Sequence, residues 1–340
     1  MTVVDFGTVF KGSKSGKIVT AQGAKHELGP NEVVIDIAYS GLCGTDMHYR
    51  CRSDMVLGHE GVGKISQVGS AVDVVKVGDR AGWGYNHDSC DYCDHCWNGY
   101  DTMCPKRKVY GYANLEWGSF GGRAVLDAHF VHKIPDEISF ADAAPLQCGG
   151  ATVFGAMVNS GVKSTDRVGV IGIGGLGHLA IQFANKMGCE VVVFSSTHNK
   201  EQLARKLGAH EFVVTKENPK LEGVGKLDYL LVSTSQQPEW DVYFKIMNSE
   251  GTVIPLTVST EKMSIPYSPL LANNLKVHGS FVARRLVHRQ MLEFAARNNV
   301  RPMTEELPMT EAGVNEAFER LEKGDVRFRF VLKSTQHDDK

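Results

Sequence analysis

Between residues 17 and 85 the apolar positions come in short runs, "KIVTA", "EVVIDIAYSG", "EGVGKISQVGS" and "DRAGW", each broken by Gly, Asn or Asp. Many short strands joined by tight turns predict an irregular β-barrel. The texture changes near residue 152. "DRVGVIGIGGLGHLAIQFANKMGCEVVVFSS" reads as strand, glycine turn, amphipathic helix and strand. A helix over "NKEQLARKLGA" follows, then the strand-like "EFVVT", "LDYLLVST", "GTVIPLTV" and "LKVHGSFVA". Strands alternating with helices predict an α/β layer, a parallel sheet with crossover helices. Near the end, "HRQMLEFAARNN" and "EAGVNEAFERLEKG" are helical by period, and "VRFRFVLK" closes as a strand.

At 340 residues the chain exceeds the roughly 250–300 at which single cores stop growing, so two domains are expected. A net charge of −2 gives no electrostatic reason to expect nucleic acid or a membrane surface as partner. The opening "MTVVDFGTVFKGSKSGKIVT" lacks a long apolar segment, and no apolar run elsewhere is long enough to span a bilayer. A cytoplasmic location is therefore expected, where clustered cysteines are metal ligands more often than disulfides.

Cys90, Cys93, Cys96 and Cys104 stand in the spacing C-x2-C-x2-C-x7-C. Four thiolates suit a tetrahedral zinc with no open position, a structural site pinning a lobe over 86–105. An iron–sulfur cluster, whose spacing this matches only in part, and a redox dithiol are the alternatives. Chemistry is then sought elsewhere. "GLCGTDMH" offers Cys43, Thr45, Asp46 and His48, "GHEGVG" offers His59 and Glu60, and "PLQCGG" offers Cys148. Two cysteines and a histidine leave a fourth zinc position open, as catalysis requires. Taken singly, each would read as a core thiol or a satisfied histidine.

Gly172, Gly174 and Gly177 form G-x-G-x-x-G between an apolar strand and a helix. That setting predicts a dinucleotide pyrophosphate at the helix N-terminus, with the glycines allowing the tight turn and the close approach. An NAD site wants Asp or Glu at the end of the next strand. Here "EVVVF" runs into Ser195, Ser196 and Thr197, with His198 and Lys200 beyond, so hydroxyls and a cation favour the 2′-phosphate of NADP.

Together these residues closely resemble the zinc-dependent medium-chain dehydrogenase/reductase family along nearly the whole chain. "LCGTDMHY", "GHEGVGKI", the four-cysteine lobe, "PLQCGGATVFGAM", "VFSST" and "AFERLEKGDVRFRFVL" look most like its cinnamyl alcohol dehydrogenase branch. The resemblance implies a Rossmann doubly wound parallel-sheet domain (151–280) inserted into a GroES-like β-barrel catalytic domain (1–150 with 281–340). It implies two zinc ions, NADP(H), a primary alcohol or aldehyde as substrate, and a homodimer formed through the Rossmann domains. Cys43, His59 and Cys148 would hold the catalytic zinc, with Glu60 beside them as a transient ligand. Asp46 would orient the ligand imidazole, and Thr45 and His48 would form a proton relay. Thr152, Gly172, Gly174, Leu176, Gly177, Ser195, Ser196, Lys200, Ser233, Ser280 and Arg327 would line the cofactor.

Two departures stand out. Only fifteen residues separate Cys43 from His59, and that shortened 44–58 segment carries an unpaired Cys51. Arg123 occupies a position near which the branch often has an aromatic residue, and Trp83 and Trp117 are candidates for pocket or core. A reductase of C=N or C=C bonds on the same scaffold is the main alternative; a non-catalytic nucleotide-binding protein is a weaker one, since the open zinc set is complete.

Overall fold

The run "EVVIDIAYSGL" forms strand β1 (Glu32–Leu42), with Val33, Val34, Ile35 and Ile37 fully buried. In the computed structural model, which describes residues 2–336, the chain divides into two compact units. One takes the residues up to Ala151, Ala283–Arg297 and Arg301 onward; the other takes Thr152–Val282 with Asn298–Val300.

In the first unit α1 (Gly44–Tyr49) leaves β1 directly, and β2 (Gly61–Val68) and β3 (Arg80–Trp83) add antiparallel neighbours. β4 (Arg123–Asp127) pairs with β1 and β5 (His132–Lys133) with β3. The chain then passes through α2 (Phe140–Pro145) and a π-helical turn over 146–150, and enters the second unit with α3 (Ala151–Ser160).

The second unit is the predicted α/β layer. β6 (Arg167–Ile171), α4 (Gly177–Lys186), β7 (Glu190–Ser195), α5 (Glu201–Leu207), β8 (Glu211–Val214), β9 (Leu227–Val232), β10 (Met247–Pro255) and β11 (Lys276–Val277) follow in turn. The six strands are parallel in the order β8-β7-β6-β9-β10-β11, the doubly wound arrangement whose order reverses beside β6. Every residue of α4 from Gly177 to Ala184 is buried, as in a crossover helix covered on both sides. α5 stops at Gly208, whose φ of 114° only glycine adopts readily. One expectation shrinks: of "LKVHGSFVA" only Lys276–Val277 pairs, since this is the sheet edge and Gly279 follows.

The chain returns to the first unit with α6 (Arg285–Asn298), β12 (Thr304–Pro308), α7 (Glu311–Glu322) and β13 (Arg329–Lys333). The seven-stranded sheet then runs β5-β3-β2-β1-β13-β12, with β4 also on β1. Its core holds Ile35, Trp83, Phe120, Phe318 and Phe330, each worth about 1.5–3 kcal/mol of burial. Trp83 is core rather than pocket: a Cβ on Gly61 would lie 2.2 Å from its ring. No helix among the described residues is long and apolar enough to cross a membrane.

Candidate active site

Cys43 follows β1 and caps α1. Its sulfur accepts the Thr45 N–H at 3.3 Å, and its own N–H donates to Asp46 Oδ2 at 3.0 Å, a capping box with cysteine in the usual place of serine. Asp46 Oδ1 accepts from His59 Nδ1 at 3.0 Å, which leaves Nε2 facing the sulfurs. Nε2 lies 3.3 Å from Cys43 Sγ and 3.3 Å from Cys148 Sγ. Cys148 comes from the π-helical turn, a widened turn that often re-aims functional side chains. Gly84 lets that turn pack closely, because a Cβ there would lie 2.4 Å from the Gln147 carbonyl.

Glu60 is fully buried next to the cluster and pairs with Arg329 of β13. Its Oε2 has no hydrogen-bond partner, and it occupies space that a Cβ on Gly41 would fill. Burial pushes the Glu60 carboxyl up to about 7 against the opposing pull of Arg329. The Cys148 thiol, donating to the neighbouring sulfur, holds Cys43 well below the usual thiol range, with His59 adding to the effect. Burial alone would push His59 down, but Cys43 and Asp46 outweigh it and hold the imidazole well above its ordinary value. The same environment that draws the Cys43 thiol towards thiolate suits a cation held between the sulfurs and His59 Nε2.

The residues fit zinc. Bonds of 2.0–2.3 Å in a tetrahedron give donor–donor edges of about 3.5 Å. The ligand atoms of Cys43, His59, Glu60 and Cys148 all lie within 4.8 Å of one another, as do those of Cys90, Cys93, Cys96 and Cys104. In the latter set Cys93 and Cys96 sulfurs are 3.6 Å apart and those of Cys90 and Cys104 3.5 Å. Such short edges suit one ion, since several irons would spread the sulfurs. The short helix Asp94–Trp97 between these ligands buries none of its residues.

In the second unit β6 runs into the glycine turn. Gly172 has φ 89°, and a Cβ on Gly177 would lie 2.0 Å from the Gly172 carbonyl. Gly174 faces open space instead, leaving backbone that a ligand can approach. Leu176 caps α4, and the Ser233 hydroxyl donates its one proton between the carbonyls of Ile171 (2.8 Å) and Gly172 (3.2 Å), nearer the first. A cavity of about 600 Å³ opens beside the turn, lined by Ser195, Ser196, Thr197, Lys200, Thr215 and Tyr243 among others. Its one lining carboxylate, Glu239, comes from the segment after β9, not from the end of β7. Lys200 Nζ donates to Ile173 O at 2.9 Å, while the His198 ring is taken up by Glu201 and Glu217.

Other expected residues are scattered. Thr45 is half-buried and His48 exposed; Thr152 is buried in α3, and the half-buried Ser280 hydroxyl has no hydrogen-bond partner. Arg327 is exposed in the loop before β13, where its amide donates to Glu305 at 2.6 Å. Arg123 is held in an ion pair with Asp36 at 2.8 Å. The end of the 44–58 segment is core, with Met55, Val56 and Leu57 buried, whereas Cys51 is exposed. Cys189 is buried and donates to the Lys163 carbonyl.

The sequence reading missed Arg329, Tyr85 and Tyr110. The alternation in "VRFRFV" marked two arginines two residues apart, and only the second enters the strand. Tyr85 and Tyr110 carried no signal; both rings lie against His59, at centroid distances of 5.7 and 4.7 Å.

Residues 29–136 match the family model described as alcohol dehydrogenase GroES-like domain, and residues 175–297 the one described as zinc-binding dehydrogenase. An aldehyde reductase of Synechocystis is 34% identical over 95% of this chain and 97% of its own. A cinnamyl alcohol dehydrogenase structure from Sorghum bicolor superposes with TM-score 0.89 at 29% identity, covering 99% of this chain and 100% of the other. The Helicobacter pylori cinnamyl alcohol dehydrogenase complexed with NADP(H) gives TM-score 0.86 at 26% identity, covering 96% and 97%. Identity of one residue in three along nearly the whole length exceeds what a shared fold demands, and the chain belongs to the zinc-dependent medium-chain alcohol dehydrogenase family.

Proposed function

We propose that the protein interconverts primary alcohols and aldehydes (aromatic, allylic or medium-chain) using NADP(H), with aldehyde reduction as its main direction. One observation carries the reading: the Cys43, His59 and Cys148 donors converge, with Thr45 on the helical turn that Cys43 caps. Zinc held by these three would act as a Lewis acid on the substrate oxygen, and NADP(H) would supply or accept the hydride. The chain's own residues manage the proton. Thr45 exchanges it with the substrate oxygen, and His48, three residues along α1 on the same face and exposed, passes it to solvent. Asp46 keeps the proton of His59 on Nδ1, so that Nε2 stays available as a ligand. Glu60, with one carboxylate oxygen free of partners, is the reserve ligand. Cys90, Cys93, Cys96 and Cys104 hold the second, structural zinc.

The NADP preference draws on the Ser195, Ser196 and Lys200 wall of the cavity and on the missing carboxylate at the end of β7. The NADP(H) complex of the Helicobacter enzyme agrees with it, and the relative named aldehyde reductase agrees with the direction. The test is oxidation of NADPH and NADH by purified protein against a panel of aromatic, allylic and straight-chain aldehydes. NADPH is expected to win by at least about tenfold. Ser195→Asp should reverse the preference by on the order of 10²-fold, because like charges some 4 Å apart near a surface cost a few kcal/mol. Equal use of NADH by the unaltered protein would sink the phosphate reading. Silence across the panel would move the assignment to C=N or C=C reduction.

The protein is further proposed to be a homodimer through the edge of the parallel sheet and to reside in the cytoplasm. Val277 on edge strand β11 and the neighbouring Tyr267 and Leu271 are exposed apolar residues, a combination that invites pairing. All eight cysteines are free, which suits a reducing compartment. Leu271→Asp should halve the mass measured by light scattering; an unchanged mass would place the contact elsewhere.

A further inference from the structure

The ring stacked on the His59 imidazole, tilted by 29°, belongs to Tyr110, which is 1% exposed. Its hydroxyl has two partners. It accepts the Gly58 N–H at 2.8 Å, and donates to Asp46 Oδ1 at 2.9 Å. A phenol has a single proton, so with Gly58 donating to the oxygen, that proton is committed to Asp46. The same carboxylate accepts from His59 Nδ1 on Oδ1 and from the Cys43 amide on Oδ2. Three donors therefore fix one buried carboxylate: two belong to residues of the cluster, and the third is Tyr110.

The placement of Tyr110 is itself determined. It follows the two-residue strand Lys108–Val109, which pairs with Asn86–Asp88 at the base of the four-cysteine lobe. Its amide donates to the Tyr85 carbonyl at 2.9 Å. The lobe that holds four sulfurs thus delivers the side chain that braces the other cluster.

We propose that Tyr110 is a positioning residue for the open metal site: its hydroxyl pins Asp46, so that His59 Nε2 and Cys43 Sγ are presented to one zinc ion in fixed directions. The inference rests on reading the Cys43, His59 and Cys148 cluster as a zinc site. A buried carboxylate deprived of one of three donors can turn, and the imidazole bonded to it turns with it. Groups that hydrogen-bond a metal ligand directly, as Asp46 does, typically change affinity by about 10–100-fold. Tyr110 stands one bond further out, so the low end of that range, about tenfold, is expected of it.

The test follows zinc release from the holoprotein to a coloured chelator, where the phase accompanying loss of activity reports the open site. Tyr110→Phe keeps the ring and removes the bond. It should speed that phase by about tenfold and leave the other zinc in place. Against an Asp46→Asn background the same change should add less than about twofold, because the carboxylate it steadies is gone. Replacing Tyr110 with 4-aminophenylalanine, of similar shape and still a donor, should restore slow release. If Tyr110→Phe proves insoluble, 4-fluorophenylalanine fills the space without donating and takes its place. Release as slow as in the unaltered protein, full multiplication with Asp46→Asn, or no rescue by the amine each overturns the proposal. Should the unaltered protein carry only one zinc, the two-site reading fails first, and independently of Tyr110.

Discussion

Cys148→Ser is expected to lower kcat/KM by on the order of 10³-fold while leaving the protein folded. A hydroxyl at that position is a far poorer zinc ligand than a thiolate, and of the three ligands only Cys43 and His59 would remain, with Glu60 in reserve. The fold has little at stake there, since serine keeps the donor that Cys148 offers to Cys43 and is no larger. Cys93→Ser should do the reverse. Its segment buries little: Tyr92, Trp97, Tyr100 and Met103 are exposed, and Asp101 and Thr102 are among its few buried side chains. The metal takes the place of a core there, and structural zinc contributes about 10 kcal/mol or more to folding in comparable small sites. Lost soluble protein, or a Tm lower by about 10 °C, is expected for Cys93→Ser. Zinc content, Tm and initial rates on both variants decide the matter. A fully stable but inactive Cys93→Ser, beside an active Cys148→Ser, would reverse the roles assigned to the two clusters.

Stability should fall by about 4 kcal/mol between pH 7.5 and pH 5.5, from three histidines held in the neutral form, His87 and His288 buried and His132 half-buried. Burial pushes His87 down to about 3, helped by His59, and burial with the Arg285 and Arg289 charges does the same to His132. His288 stacks on His132 with centroids 3.8 Å apart, and burial beside that ring holds it well below its ordinary value. The sign follows directly. All three folded values lie below about 6.5, the value in the unfolded chain. Above that pH both states are neutral and nothing is lost; below it only the unfolded chain takes up protons. Each histidine then costs about 1.4 kcal/mol per pH unit until its own folded value is reached. Urea unfolding across this range measures the slope. His132→Phe, which keeps a stacked ring but cannot titrate, should remove about one third of it. An unchanged slope in that variant would mean that acid acts through other groups, such as the metal ligands.

Much of this was legible in the sequence because it depends on local spacing. G-x-G-x-x-G needs only its own backbone: Gly172 must take positive φ, and Gly177 must let the turn close on the Gly172 carbonyl. The four lobe cysteines lie within fifteen residues, so their spacing alone brings the sulfurs within reach of one ion. The period of "HRQMLEFAARNN" gave the buried face of α6, where Val287, His288, Met291, Leu292 and Ala295 point inward. The expected strand over "LKVHGSFVA" fared worse, because pairing beyond Val277 would need a neighbour that the edge of a sheet does not supply. Arg327, expected beside the cofactor, lies exposed before β13, and the next arginine in the same alternation, unremarked in the sequence, is the one buried against Glu60.

By itself the sequence determined two chemistries, four clustered thiolates and a glycine turn between strand and helix, and through the resemblance it also named Cys43, His59 and Cys148. Only the tertiary structure decided what surrounds those three. His59 meets Cys148 across 89 positions, Glu60 meets Arg329 across 269, and Tyr110 reaches Asp46 across 64. Contacts at such separations leave no periodic trace along the chain. They arise when strands and turns from distant segments pack against one another, and burial there leaves every donor and acceptor dependent on whichever partner the fold brings within hydrogen-bond reach.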